Sequence, residues 1–139
     1  MNMKKEENPY QGLFSLEDKR ILVTGANGYL GFEITKSLLY FGAKVLAVSR
    51  HDSNLSLLQE SSNLQFVQGD CRNEDFMDET IGSFTNRFGS LSGLVNNAYS
   101  APKETNFEMP VSEIHEIFDN CFVHYWTNTR IAAKYFDTN

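Results

Sequence analysis

Three glycines in eight residues, within Thr24-Gly25-Ala26-Asn27-Gly28-Tyr29-Leu30-Gly31, have the spacing to cradle a phosphate. Gly25 can take a tight turn, Gly28 has no Cβ to hold off an approaching pyrophosphate, and Gly31 lets a following helix lie close on a preceding strand. The helix N-terminus would add free N–H groups and a positive dipole end for the anion. Three glycines can also make a plain turn into a helix, so context must decide. About twenty residues past such a loop, an acid would accept adenosine ribose hydroxyls, whereas an arginine would take a 2′-phosphate. The sequence there is Ser49-Arg50, with no carboxylate and a guanidinium able to make charge-assisted contacts to phosphate. The bland alternative is that Arg50 is only a charged loop residue beside His51 and Asp52.

The elements that must hold these residues follow from periodicity. Short aliphatic runs, RILVT (20–24), KVLAVS (44–49), NLQFV (63–67) and SGLVN (92–96), read as strands. Helical patterns lie between them. The first spans about 29–41, with Leu30, Ile34, Leu38 and Phe41 at helical spacing and Gly42 just past its end. A second, around 53–61, is short and serine-rich. The third runs from Asn73, an N-cap, through Met77, Ile81, Phe84 and Phe88 to Gly89. The fourth covers about 112–136. Strand and helix in alternation predict βαβ units and an α/β fold, a Rossmann-type doubly wound parallel sheet of about four strands. Ligands of such sheets bind beyond the carboxyl ends of the strands.

Composition narrows the function classes. The chain has 139 residues, enough for one domain with its own core; residues 1–15 read as a polar N-terminal arm and 16–139 as the folded unit. Its 12 basic and 18 acidic side chains give a net charge of −6, which opposes a phosphate backbone or an anionic membrane as partner. No apolar run suits a secretory signal or a membrane span, so a cytoplasmic setting is expected. Cys71 and Cys121 show no paired spacing and are read as reduced packing residues. His51, His115 and His124 lack metal-ligand spacing, and no metal is assigned.

The string TGANGYLG, with Asn96-Asn97-Ala98 after the fourth strand, resembles the short-chain dehydrogenase/reductase family, whose members carry a glycine loop and an NNAG motif. The resemblance covers residues 14–136. Two departures stand out: the glycine spacing is that of the long, epimerase-type branch, and Tyr99 replaces the last glycine of NNAG. The resemblance implies a cofactor site made of Thr24, Gly25, Asn27, Gly28, Tyr29, Leu30 and Gly31, with Ser49 and Arg50 at the adenosine ribose. It adds Asp70 and Cys71 at the adenine, and Asn97 and Ala98 along the cofactor. From the residues alone, Asp70 could equally start the next helix. NADP(H) is the expected cofactor, with NAD as the alternative.

Asn120 divides the two lines of reasoning. Ile114, Ile117, Phe118, Cys121, Phe122 and Tyr125 form an apolar stripe, which leaves Glu113, Glu116, Asn120, His124 and Thr127 on a solvated face. The resemblance instead aligns Asn120 with the family asparagine whose helix distortion binds a water of the proton relay, the one catalytic residue expected here.

Carbonyl reduction in this family also needs a serine and a Tyr-x-x-x-Lys pair on a later helix. Two strings have that spacing, Tyr40 to Lys44 and Tyr99 to Lys103. The first crosses a helix end and Gly42, and the second contains Pro102, so neither puts its side chains one helical turn apart. The chain is therefore expected to be a truncated product or fragment, inactive alone, of an enzyme acting on a small alcohol or carbonyl substrate and homo-oligomeric at full length. Fourth-helix residues Phe122, Tyr125, Trp126, Ile131, Tyr135 and Phe136 are expected to lose packing surface. A non-catalytic nucleotide-binding module and a nucleotide-sugar epimerase or dehydratase are the alternatives.

Overall fold

The computed structural model describes residues 12–52, 55–58, 60–100 and 108–137. Four strands, β1 (Arg20–Thr24), β2 (Lys44–Ser49), β3 (Leu64–Gln68) and β4 (Gly93–Val95), form one parallel sheet in the order β3-β2-β1-β4. Register is continuous from Arg20↔Lys44 to Thr24↔Val48 and from Val45↔Leu64 to Ser49↔Gln68. The order reverses between β1 and β4, so this Rossmann-type sheet has its switch point where the glycine loop leaves β1.

Alternation along the strands divides the core. Leu22, Leu46 and Val48 join Met77, Ile81 and Phe84 of α2 (Glu74–Phe88) and Ile131 and Ala132 of α4 (His124–Ala133) on one face. Val23, Val45 and Ala47 point the other way, to Ile34 and Leu38 of α1 (Tyr29–Tyr40) and to Leu55. With both faces covered, β1 and β2 read as near-continuous apolar runs rather than alternating ones. Each fully buried Leu, Ile or Phe contributes about 1.5–3 kcal/mol on leaving water.

Helix ends follow the expected chemistry. Asn73 caps α2, its side chain accepting the Phe76 N–H at 3.0 Å, and Gly89 closes it at φ 94°. Asp70 therefore does not start α2; its carboxylate accepts the Arg72 N–H at 3.0 Å in the preceding turn. In α1 the residues pressed onto the sheet are Gly31 and Thr35, while Leu30 and Phe41 of the expected apolar face are exposed. The expected second helix is a 3₁₀ turn, Leu55–Leu58; Ser53, Asn54 and Gln59 lie outside the described residues, as do residues 1–11 of the expected arm.

The expected fourth helix is three pieces. An α-helix, α3 (Val111–Phe118), runs into a π-helical turn, Asp119–Val123, and resumes as α4. The π turn closes with the His124 N–H donating to the Asp119 carbonyl, five residues back, and it shifts the helical phase. Asn120 and His124, expected on a solvated face, are each only 6% exposed, whereas Phe118 and Phe122 of the expected apolar stripe are 62% and 67% exposed. Of the six residues expected to be short of packing, Ile131 is buried, Tyr135 and Phe136 are half-buried against the core, and Phe122 and Trp126 are exposed. After α4 the backbone returns beside the start of β4: the Leu91 N–H donates to Tyr135 O at 2.8 Å, and Leu91 and Phe136 form a parallel bridge.

Candidate functional site

The carboxyl ends of all four strands open onto one cleft of about 370 Å³. Gly25, Asn27, Gly28, Tyr29, Leu30 and Gly31 line it after β1. Val48, Ser49, Arg50 and His51 contribute from the end of β2, Gly69, Asp70 and Cys71 from β3, and Asn97, Ala98 and Tyr99 from β4.

Backbone packing dictates the shape of the glycine loop. Gly25 has φ 63°, and a Cβ there would lie 2.7 Å from the Ala98 Cα. A Cβ on Gly31 would sit 2.1 Å from the Gly25 carbonyl oxygen and 2.7 Å from Asn97 Nδ2, so no side chain fits between helix and loop. Gly28 differs. It is the N-cap of α1, makes no side-chain cap, and its added Cβ would meet only Gly25 O at 3.2 Å. The first turn of α1 thus presents N–H groups to the cleft that no side chain occupies, as an anion site requires. Tyr29 and Leu30, exposed on that turn, form the rim.

Thr24 stands apart from the other loop residues: it is fully buried and does not line the cleft. Its Oγ1 accepts the N–H groups of Asn97 and Ala98 at 3.1 and 3.2 Å, and Asn97 Nδ2 donates to the carbonyls of Thr24 and Gly25, both at 3.1 Å. Thr24 thus splices β1 to β4 beneath the cleft. Asn27 Oδ1 accepts the Leu55 N–H at 3.3 Å, tying the loop to the 3₁₀ turn. Asn96 points to the helices, donating to Tyr125 O at 3.2 Å and Thr129 Oγ1 at 3.1 Å.

At the far wall, Asp70 and Arg72 form a two-pronged pair, with Arg72 Nη2 2.7 Å from Asp70 Oδ2 and Nε 3.1 Å from both oxygens. The Arg72 guanidinium holds the Asp70 carboxyl below its ordinary range, and Arg50 adds to the effect from the neighbouring loop. Burial raises the neighbouring Cys71 thiol. Arg72 Nη1 also donates to Asn120 Oδ1 at 3.1 Å. Of the sequence-derived residues, Thr24 and Asn120 lie off the cleft lining, Thr24 beneath it and Asn120 within the π turn, joined to it through Arg72.

Sequence reasoning did not single out Arg72, His51 or Tyr99 as site residues. Their signal was position alone, one or two residues beyond a strand-end residue already chosen. Among the described residues no Tyr-x-x-x-Lys pair lies on a helix: Tyr40 ends α1 and Lys44 begins β2, while Lys103 lies outside them. No described helix is long and apolar enough to cross a membrane.

The chain carrying this 3-2-1-4 parallel sheet, with a glycine loop at the switch point and an Asn-Asn-Ala strand end, matches the family model "short chain dehydrogenase" over residues 19–139. The chain belongs to that family of oxidoreductases. It is 41% identical over 91 residues to an L-xylulose reductase of Caenorhabditis elegans, spanning 61% of this chain and 35% of that protein. An NADP-dependent 3-hydroxy acid dehydrogenase of Escherichia coli is 35% identical over 80 residues, 56% of this chain and 32% of that protein. The fold matches a short-chain dehydrogenase/reductase structure from Brucella melitensis, described as a glucose/ribitol dehydrogenase, with a TM-score of 0.79 at 20% identity. That match covers 89% of this chain and 55% of the other. The chain spans roughly a third to a half of the length of the curated relatives it matches.

Proposed function

We propose that this chain is the cofactor-binding part of an oxidoreductase that moves a hydride between NADP(H) and a small alcohol or carbonyl. The observation that carries this reading is the cleft at the switch point, where an uncapped helix N-terminus and Gly28 leave backbone N–H groups open to a pyrophosphate. The residues fit the group along its length. The first turn of α1 would hold the phosphates, Asp70 and Cys71 the adenine, and Asn97 and Ala98 the part running toward the nicotinamide. Arg50 is exposed on the cleft, and its backbone is pinned by Gln68 Nε2 donating to its carbonyl at 3.0 Å. With Ser49 rather than a carboxylate at the end of β2, this corner is suited to a 2′-phosphate. The NADP-dependent relative named above is in keeping with that choice.

When bound, the cofactor supplies the hydride chemistry, and the protein's part is to bind, orient and move a proton. Asn120, in its π turn, is the candidate relay residue of this chain. The proton donor, a Tyr-x-x-x-Lys pair, is not among the helical residues described, so these 139 residues alone are expected to bind cofactor without turning over carbonyls. The reading includes a cytoplasmic location and a homo-oligomer. The epimerase-type spacing Gly25-x-x-Gly28-x-x-Gly31 keeps a nucleotide-sugar enzyme as the second reading. Calorimetric titration of the chain with NADPH, NADH and a UDP-sugar tests the choice. Saturable binding of NADPH in preference to NADH is expected; no binding of either would sink the proposal.

A further inference from the structure

We propose that Arg72 is a positioning residue that couples the adenine wall of the cleft to the π turn, fixing the Asp70 carboxylate and the Asn120 amide with one guanidinium. The inference rests on the cofactor reading above and adds a residue to it. A guanidinium carries five donors and no acceptor, in a planar fork that can grip a carboxylate with two prongs and still reach a third group. Arg72 uses the fork that way. Nε and Nη2 hold both oxygens of Asp70, and Nη1 reaches Asn120 Oδ1 at 3.1 Å, 48 residues along the chain.

Two consequences follow from donor chemistry. Asp70 lines the cleft, and its carboxylate has lone pairs beyond those Arg72 takes, so its acceptor direction toward a ligand is set by the grip on its other edge. The Asn120 amide also has its flip decided. Only Oδ1 can face a group made entirely of donors, so Nδ2 is turned to the opposite side of the amide. Asn120 is nearly enclosed, so solvent does little to compete for that orientation. A lysine could not substitute, because one ammonium cannot span both partners in this geometry.

The charged surroundings are few. Asp70 faces Arg72 on its own loop and Arg50 beyond β2, with Cys71 adjacent; Arg72 faces Asp70, Cys71 and, from α3, Glu116. Removing the Arg72 charge should therefore return Asp70 toward an ordinary carboxyl, leaving only Arg50 to hold it down.

The experiment uses the 139-residue chain, its Arg72→Met and Arg72→Lys variants, and Asp70→Asn with and without Arg72→Met. Arg72 is half-exposed, so truncating its head group leaves the core intact. Carbon-detected NMR follows the Asp70 carboxyl titration and the Asn120 side-chain amide, and calorimetry follows adenosine 2′,5′-bisphosphate. In Arg72→Met the Asp70 titration should move up in pH, the Asn120 amide signal should shift, and affinity should fall about tenfold, as for loss of a charge-assisted bond. Arg72→Lys should restore the low titration but neither the amide signal nor the full affinity. In the Asp70→Asn background Arg72→Met should cost almost no further affinity, because Arg72 acts through Asp70. An unmoved Asp70 titration and Asn120 signal in Arg72→Met would overturn the coupling, as would moved signals with unchanged affinity. If the unmodified chain binds no adenosine 2′,5′-bisphosphate, the cofactor reading falls instead, and the NMR signals still judge the bridge.

Discussion

Asn97 grips Thr24 twice across two parallel strands: its N–H donates to the Thr24 hydroxyl and its Nδ2 to the Thr24 carbonyl, both at 3.1 Å. The pair sits beneath the cleft and sets the distance between the glycine loop and the strand end that faces it. Thr24→Val keeps the shape but leaves the N–H groups of Asn97 and Ala98 without their acceptor, a cost of roughly 1–3 kcal/mol for each stranded group. Thermal unfolding should show the loss, and Thr24→Ser should recover most of it. A Val variant as stable as the wild type would mean the splice contributes nothing.

Gly31 and Gly28 should respond in opposite ways. Gly31→Ala drives a methyl into the Gly25 carbonyl and Asn97 Nδ2, neither of which can yield without moving the loop, so stability should fall by about 1–3 kcal/mol or more. At Gly28 the backbone φ is −67°, which any residue can adopt, and an added Cβ would press on the Gly25 carbonyl oxygen at 3.2 Å, a tight contact but not the overlap met at Gly31. Gly28→Val should cost less stability than Gly31→Ala and lose cofactor binding. Calorimetry on the Gly28 variant decides whether this loop is the site, since unimpaired NADPH binding would exclude it.

Cofactor preference should turn on the β2 end. Arg50→Ala is expected to weaken NADPH by about 1–3 kcal/mol, the range for a lost charged hydrogen bond, with little effect on NADH. Ser49→Asp should push the preference toward NADH by placing an acceptor for the ribose hydroxyls and repelling a 2′-phosphate. Equal losses for both cofactors in Arg50→Ala would remove Arg50 from this role.

Phe118, Phe122 and Trp126, four residues apart along the α3-to-α4 segment, each stand more than three-fifths exposed, and large exposed apolar side chains favour association. Light scattering on the isolated chain should report oligomers whose mass falls in Phe122→Glu. A monodisperse monomer at high protein concentration would contradict the expectation.

The Asp70–Arg72 pair gives a pH dependence of defined sign. Because the folded-state carboxyl titrates below its unfolded value, the stabilisation is complete above the ordinary carboxylate range and is lost as pH falls through the lowered folded value. Both side chains are more than a third exposed, so the effect should be small. Acid unfolding of wild type and Arg72→Met should converge at the lowest pH and diverge above it; parallel curves would deny the pair any part.

What the sequence determined by itself is everything governed by local period and steric need. Near-continuous aliphatic runs marked β1 and β2 to the residue, because strands covered on both faces are apolar along most of their length. The spacing of Met77, Ile81 and Phe84 marked α2, with Asn73 and Gly89 at its ends, and the glycine loop located the cleft because close backbone approach admits no other residue. Tertiary structure decided where residues act through partners distant in the chain. Periodicity put Asn120 on a solvated face because it assumes one helical repeat throughout, and a single π turn rotates Asn120 and His124 inward and Phe118 and Phe122 outward. The bonds of the Thr24 hydroxyl to β4 form only when the two strands pair, and of the two partners of Arg72 only Asp70 is near in sequence, Asn120 being brought to it from 48 residues away.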